Sequence, residues 1–352
     1  NICHTTLDII DAAIMINAKV ETKARTLLIF LKLSMLIRCY FKPYLKHFDT
    51  YYLSIKKAMF KIFLPSLLIL FCGVSNASKV SNSIVYGFGD RETKVDWNIA
   101  GNLAGTNPNI ISELDWRKVK SNQFMLGSIW QDGDYFLKVV GEYGRIYDGE
   151  NQDSDYRLDN RRGEFSRSLN NAGKGYMLDT EINYGKDYII SSKLKLSPMI
   201  GYSFHRQHLK IYDGSMIIGS ANLTGLDSLY QANWSGPQLG LGLNYKINKS
   251  IFSLNYSLQD INFNGHTNWN LRSDLQHPIS MTQKGDGSGS KISASYERAV
   301  SNFSSISLVG NFYKYKANGT HTFHLSSSDS SQKLNQVNWK SSELKLIYRS
   351  LF

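Results

Sequence analysis

The chain has 352 residues, of which 12% are aromatic and 20% charged, with a formal net charge of +11. The first 77 residues hold ten of the Lys and Arg but only four of the Asp and Glu, so residues 78–352 carry 30 against 25. That small surplus is no signature of nucleic-acid binding. All three cysteines lie in the first 77 residues, which excludes disulfides and thiolate metal sites from the remainder.

The first predicted element is an export signal in residues 59–77. Lys61 supplies its charged start, residues 62–74 its apolar centre, and small residues follow as a cleavage site. The apolar centre is too short to span a bilayer, which takes about 20 residues. Residues 1–58 are interpreted as upstream sequence from a wrong start site, with a genuine N-terminal anchor as the alternative. The mature chain is therefore expected to be residues 78–352, forming one domain.

Residues 237–266 show the pattern that organises the mature chain. Leucines at 239, 241 and 243 alternate with Gly and Asn, and after a short turn an apolar residue again occupies every second position from Phe252 to Leu258. Alternation with period two places the apolar side chains on one face of each strand. The other face is too polar for a dry core. The pattern thus indicates either a half-buried soluble sheet or the wall of a membrane barrel.

The same pattern predicts ten strands along the mature chain. They are expected at residues 83–96, 111–130, 135–147, 175–183, 193–212, 234–246, 251–263, 291–300, 305–316 and 337–352. Short turns at 131–134, 185–187, 247–250 and 301–304 alternate with long polar connections at 97–110, 148–174, 213–233, 264–290 and 317–336. Asp132-Gly133 in the first turn is a strong hairpin signal.

An even strand number with alternating short and long connections is the layout of bacterial outer-membrane barrels. We therefore predict an all-β, ten-stranded antiparallel transmembrane β-barrel in the outer membrane of a Gram-negative bacterium. A soluble β-sandwich would not explain the asymmetry of the connections. Tryptophans near strand ends are predicted to form a girdle at the membrane interface, and the terminal Phe352 is typical of such barrels. The tryptophans are Trp116, Trp130, Trp234, Trp269 and Trp339.

Six segments in fixed order carry a family resemblance. They are TNPNIISELDW (106–116), DSDYRLDNRRGEFSRS (153–168), PMIGYSFHRQHLKIYDG (198–214), WSGPQLGLGLNY (234–245), HTNWNLRSD (266–274) and LNQVNWKS (334–341). From residue 84 to 352 the chain resembles the omptin-like superfamily of ten-stranded outer-membrane barrels, and most closely the family of protochlamydial outer-membrane proteins. For that family the resemblance implies porin-like or structural roles. The omptins proper are outer-membrane endopeptidases that cleave near basic residues and require bound lipopolysaccharide.

The resemblance also implies a candidate catalytic site. In omptins a water is activated between an Asp-x-Asp pair in the second long loop and an Asp-x-His in the fourth, and the matching positions here are Asp153 and Asp155, and Asn264 and His266. Asn264 departs from the pattern, because an amide cannot stabilise the imidazolium; the analogous change in a serine-protease triad costs about 10⁴ in rate. Asp274 could reach in from the loop as a substitute.

The phase of the seventh strand bears on this site. Its apolar residues occupy even positions up to Leu258 and odd positions at Ile261 and Phe263. Either a bulge lies near Gln259-Asp260, which would turn His266 inward toward the aspartates, or the strand leaves the bilayer there. Without that bulge His266 points outward, and catalysis by this constellation fails.

Simpler interpretations of the same residues remain open. The loop aspartates could pair with the neighbouring Arg157, Arg161 and Arg162 as a solvated loop, and those arginines oppose a Ca²⁺ site. Two His-x-x-His pairs on predicted strands face opposite sides and are not expected to bind a metal. These pairs are His205 with His208 and His321 with His324.

The predicted function is an outer-membrane barrel with a structural, surface-interaction or limited porin-like role and a degraded omptin-type site. The alternative is an active omptin-like endopeptidase using Asp153, Asp155 and His266. A wide pore is disfavoured because side chains fill most of a ten-stranded lumen. No cofactor or metal is expected beyond bound lipopolysaccharide, whose phosphates basic residues such as Arg206 and Lys210 could contact. The other expected partner is a peptide or host-surface ligand at the long loops. No nucleic acid is expected as a partner.

Overall fold

A computed structural model describes residues 80–352. The expected export signal and the residues before it lie outside the described residues. Residues 80–352 form strands and no helix, so no helix in this range is long and apolar enough to cross a membrane. The strands are β1 (Val80–Ile99), β2 (Ser112–Asp132), β3 (Tyr135–Leu158), β4 (Arg162–Asn171), β5 (Gly175–Lys186), β6 (Tyr188–Ile189), β7 (Leu194–Ile218), β8 (Asp227–Ile247), β9 (Ser250–Asn268), β10 (Met281–Ala299), β11 (Ser304–His324) and β12 (Asp329–Leu351).

Ten of these strands close into a ring of antiparallel neighbours. Each pairs with the next in the order β1, β2, β3, β5, β7, β8, β9, β10, β11 and β12, and β12 pairs back with β1. The ring leaves no open sheet edge, as a spanning barrel requires. The predicted barrel with ten strands around its wall is confirmed.

On the side of the long connections, the strands extend further than predicted. β3 continues to Leu158. Most of residues 317–336, which were predicted to be a connection, belong to β11 and β12. The additional strand β4 pairs with both β3 and β7 above β5. Polar residues there pair with a neighbouring strand because that strand extends equally far. The alternation of residues within one strand does not reveal the length of its neighbour. On the other side, Gly133 adopts a φ of 57° in the short turn that Asp132-Gly133 predicted.

The outward face of the wall carries an apolar belt. On β9 the side chains of Phe252, Leu254, Tyr256 and Leu258 are between 45% and 54% exposed, while the intervening residues face the lumen. The belt repeats on the neighbouring strands, for example at Leu344 and Leu346 on β12. Apolar outward and polar inward is the arrangement of a membrane barrel, so the belt is the lipid-facing surface.

Three of the five tryptophans contradict the predicted interface girdle, whereas Trp130 lies on the outward face of β2 beside the short turn, as predicted. Trp116, Trp234 and Trp339 are fully buried, together with Trp97, inside the barrel on the side of the long connections. There they form an aromatic layer in which Trp116 stacks on Tyr230 at 4.9 Å between ring centroids, and Trp234 and Trp339 lie 6.1 Å apart. Above the membrane the lumen therefore holds a packed apolar core. Burying these rings there gains more than exposing them at strand ends.

Candidate functional site

The two aspartates of the predicted site lie on β3, beyond the apolar belt. Register pairs Asp153 with Leu114 and Asp155 with Ser112, and Leu114 points into the barrel core. Because directly opposite residues share a face, both carboxylates point inward, toward the mouth of the barrel. A register shift at Asp148, next to Gly149 with a φ of 156°, sets this phase.

The electrostatics of the pair disfavour two full negative charges. Burial, and then the charge of Asp155, raises the pKa of Asp153 well above its ordinary value, and the guanidinium of Arg272 opposes this. Burial also raises the pKa of Asp155, against hydrogen bonds from Ser112 and Ser166. One oxygen of Asp153 is buried without a hydrogen-bond partner in the described range. The pair therefore retains a proton to higher pH than isolated aspartates would.

His266 does not join the aspartates. β9 pairs with β10 without a register shift, so of the two alternatives for the change of phase the bulge near Gln259 is absent. Gln259, Ile261 and Phe263 point inward and are buried, which places His266 on the outward face of the wall. Asn264 shares that outward face and is exposed. The change of apolar phase on this strand marks where lipid ends outside and the apolar core begins inside.

His266 belongs instead to a row on the outer surface. Burial and then the charge of Arg206 lower its pKa. Its neighbour across β8 is His208, whose ring stacks on Tyr176 at 4.6 Å and lies 3.4 Å from the side-chain oxygen of Gln231. Burial lowers the pKa of His208 to about 4. Sequence reasoning considered His208 only as a metal ligand and missed this stack.

The loop after β9 supplies an arginine rather than a carboxylate. Arg272 donates two hydrogen bonds to Asp274, at 2.8 and 2.6 Å, and that pairing lowers the pKa of Asp274 to about 2. Asp274 therefore does not take the place that Asn264 leaves open. Arg272 is instead the cation whose charge acts on both Asp153 and Asp155.

The arginines of the second loop pair elsewhere than expected. Arg161 donates to Glu113 at 2.8 Å, and the guanidinium of Arg157 lies 4.9 Å from the ring centre of Phe165. The interpretation that the arginines of this loop pair with its aspartates is therefore wrong for Arg157 and Arg161. In residues 80–352 no group of three or more His, Cys, Asp or Glu side chains is arranged to hold a metal.

A buried charge network crosses the lumen below the aromatic layer. Arg91 donates to Asp179 at 2.5 Å, to Glu142 at 3.0 Å and to Glu343 at 2.5 Å, and its side chain has no exposed surface. Lys345 lies 2.6 Å from Glu343 and also contacts Glu142. Sequence reasoning missed this network. A signal was present, since Glu343 and Lys345 alternate with outward Leu344 and Leu346 and so had to point inward.

Beneath the network the lumen opens into a polar cavity of about 290 Å³ that extends to the short turns. The barrel thus has three levels: an apolar core, a charge network and a polar cavity. Only the last is accessible to water through its own end.

The family model described as Protochlamydia outer membrane protein matches residues 85–348. The chain belongs to this family. Membership and the barrel fold together place it in the bacterial outer membrane, with the long connections outside the cell and the short turns in the periplasm. The predicted family resemblance is confirmed. No curated protein matches the chain.

The chain is also similar to several solved structures. The outer membrane protease OmpT from Escherichia coli is similar over 80% of this chain and 99% of its own, with 14% identity and a TM-score of 0.65. The toluene transporter TbuX from Ralstonia pickettii covers 77% of this chain and 90% of its own, with 9% identity and a TM-score of 0.33. OprG from Pseudomonas aeruginosa covers 78% and 97%, with 11% identity and a TM-score of 0.31. At 14% identity the likeness to OmpT establishes the fold alone.

Proposed function

We propose that this chain is a closed outer-membrane barrel with a structural and surface-interaction role, in which the omptin-type site is degraded. The observation that carries the proposal is the packed aromatic layer, with Trp97, Trp116, Trp234 and Trp339 fully buried across the upper lumen. A layer packed at protein density leaves no path for hydrated solutes. A porin-like role is therefore limited at most to small leaks.

The placement of His266 supports the loss of proteolysis. A general base must lie within hydrogen-bond reach of the water it activates, or one water away. His266 projects from the outward face of β9, whereas Asp153 and Asp155 project inward from β3. The wall of the barrel stands between the two groups. Changing Asn264 back to Asp would restore the dyad only on the outer face.

An omptin-like endopeptidase is the second candidate. It is favoured by the inward aspartate pair, whose raised pKa values are those of a site that holds a proton, and by the shared fold with a protease. It needs His266, or another base, on the inner face. It ranks second because that base is missing from the face on which the aspartates lie.

The proposed partners are outer-membrane lipid, including lipopolysaccharide, and a peptide or host-surface ligand at the long connections. Support comes from outward basic side chains above the apolar belt. Arg206 donates to Asn233 at 2.7 Å, and Lys210 lies 2.9 Å from Asp227, so both retain donors for a phosphate.

The test uses the full chain, purified from a bacterial outer membrane into bilayers that contain lipopolysaccharide. We expect no steady channel conductance and no cleavage of peptides with paired basic residues, with OmpT as the positive control for cleavage. Asn264→Asp should gain no activity. Cleavage that His266→Ala abolishes, while the exposed loop variant His277→Ala keeps it, would overturn the proposal and establish the endopeptidase. A steady conductance in the unaltered protein would refute the closed lumen.

A further inference from the structure

The polar cavity beneath the charge network is open to the periplasm and closed to the outside of the cell. Its lining reaches Gln131 and Asp187 beside the short turns and ends above at Asn311 and Tyr313, under the aromatic layer. Most ligand pockets are largely apolar, with a few polar groups. This one is lined mainly by charged and amide side chains, which suits a small polar solute.

Charged side chains of both signs line its wall. Five cations and four carboxylates line the cavity, and behind them Arg91 and Glu343 add one charge of each sign. The cations are Lys138, Lys195, Lys291, Lys345 and Arg349. The carboxylates are Glu142, Asp179, Glu181 and Asp187.

Pairing these charges one by one isolates a single lysine. Lys345 pairs with Glu142, Lys291 with Glu181, and Lys195 with Asp187, the last at 2.7 Å. Arg91 takes Asp179. Arg349 lies 3.9 Å from Glu297 at the periplasmic rim.

Lys138 alone among the lining cations has no carboxylate within 4.0 Å, counting the residues from 80 to 352. Its side chain faces the lumen and is exposed to it. The charges that act on it are those of Lys291, Glu181, Lys345 and Arg349, of which three are cations. An ammonium group with no carboxylate within salt-bridge distance and mostly cations around it attracts an anion from the cavity.

We propose that this cavity binds a small oxyanion from the periplasm, of the class of inorganic phosphate, with Lys138 as its principal cation. Neutral groups nearby can complete the coordination, since Asn255, Ser257 and Ser293 also line the cavity. Charge-assisted hydrogen bonds from ammonium groups and hydroxyls are the contacts that hold such anions. The nine charged side chains of the lining favour a free anion over a lipid headgroup, whose acyl chains would have to lie among those charges. This goes beyond the proposed surface role and does not depend on it.

The test measures protection of a cysteine placed in the lining of the same cavity as Lys138. In the full chain with Cys3, Cys39 and Cys72 changed to Ser, Ser257→Cys sits across from Lys291 in the ladder. We expect phosphate to slow its reaction with a negatively charged thiol reagent, at an ionic strength matched with chloride. In a Lys138→Gln background the protection should fall about fivefold, the factor for one unit charge at 4 Å in water.

Two companion variants keep the result interpretable. Lys138→Arg retains the charge and should retain protection, which separates loss of the charge from a folding defect. Lys249→Gln, in a periplasmic turn and outside the cavity lining, should leave protection unchanged. Protection by phosphate no greater than that by chloride, or equal protection with and without Lys138, would overturn the proposal.

Discussion

Replacing Arg91 by Gln should strongly destabilise the barrel. The Arg91 side chain has no exposed surface, and its guanidinium contacts the carboxylates of Asp179, Glu142 and Glu343, which are at most 7% exposed. Removing it leaves Glu142 and Glu343 facing Lys345 alone, and Asp179 facing His205. Removing one partner of a buried ion pair costs about 3–5 kcal/mol, because the other charge stays buried without compensation. We expect a loss of that size in the free energy of unfolding.

The measurement is equilibrium unfolding by guanidinium in a fixed lipid environment, followed by tryptophan fluorescence. Arg117→Gln is the matched control, since Arg117 makes an exposed pair with Asp115 at 2.7 Å, and such pairs contribute about 0–1 kcal/mol. The double variant Arg91→Gln with Glu343→Gln should recover part of the loss, because it buries one fewer unpaired charge. A cost below about 1 kcal/mol for Arg91→Gln, equal to that of the control, would refute the conclusion that these charges are buried away from water.

Three further predictions concern the wall and the mouth. Leu254→Arg, on the lipid face of β9, should cost about 2–4 kcal/mol in the same assay, whereas Asn255→Arg, on the lumen face, should cost far less; equal costs would contradict the assigned faces. The raised pKa of Asp153 means that the folded state binds more protons than the unfolded one, so unfolding free energy should fall as pH rises above about 4, and Asp153→Asn should reduce that slope. The pKa of His208 is lowered to about 4, so stability should fall as pH drops from about 6.5 toward 4, and His208→Gln should remove this acid sensitivity; a ring that titrates by NMR near pH 6.5 would contradict it.

Much of the fold was predictable because alternation is a local property. Apolar residues at every second position from Phe252 to Leu258 require an outward face, whichever strands lie beside them. Asp132-Gly133 required a tight turn for the same local reason. The ends of β3 and β11 were not predictable in this way, since a polar segment becomes a strand only when a neighbour of equal length offers it hydrogen bonds.

The candidate site shows the same division. The sequence contains Asp153, Asp155 and His266 in the expected order, and their separation along the chain says nothing about which face each occupies. Register decides that, because shifting a strand by one residue exchanges its two faces. Continuous pairing of β9 with β10 placed His266 outside, and the register shift beside Gly149 set the phase that leaves the aspartates inside.

The sequence by itself determined a chain whose wall is apolar on one face and polar on the other, with ten wall strands and alternating connections. Only the tertiary structure decided what fills the barrel. Trp116, Trp234 and Trp339 lie near strand ends in the sequence, as interface residues do, yet they meet as a buried layer because three distant strands converge there. The charges around Arg91 likewise come from β1, β3, β5 and β12. Contacts across a lumen join residues far apart in the chain, and no local pattern encodes them.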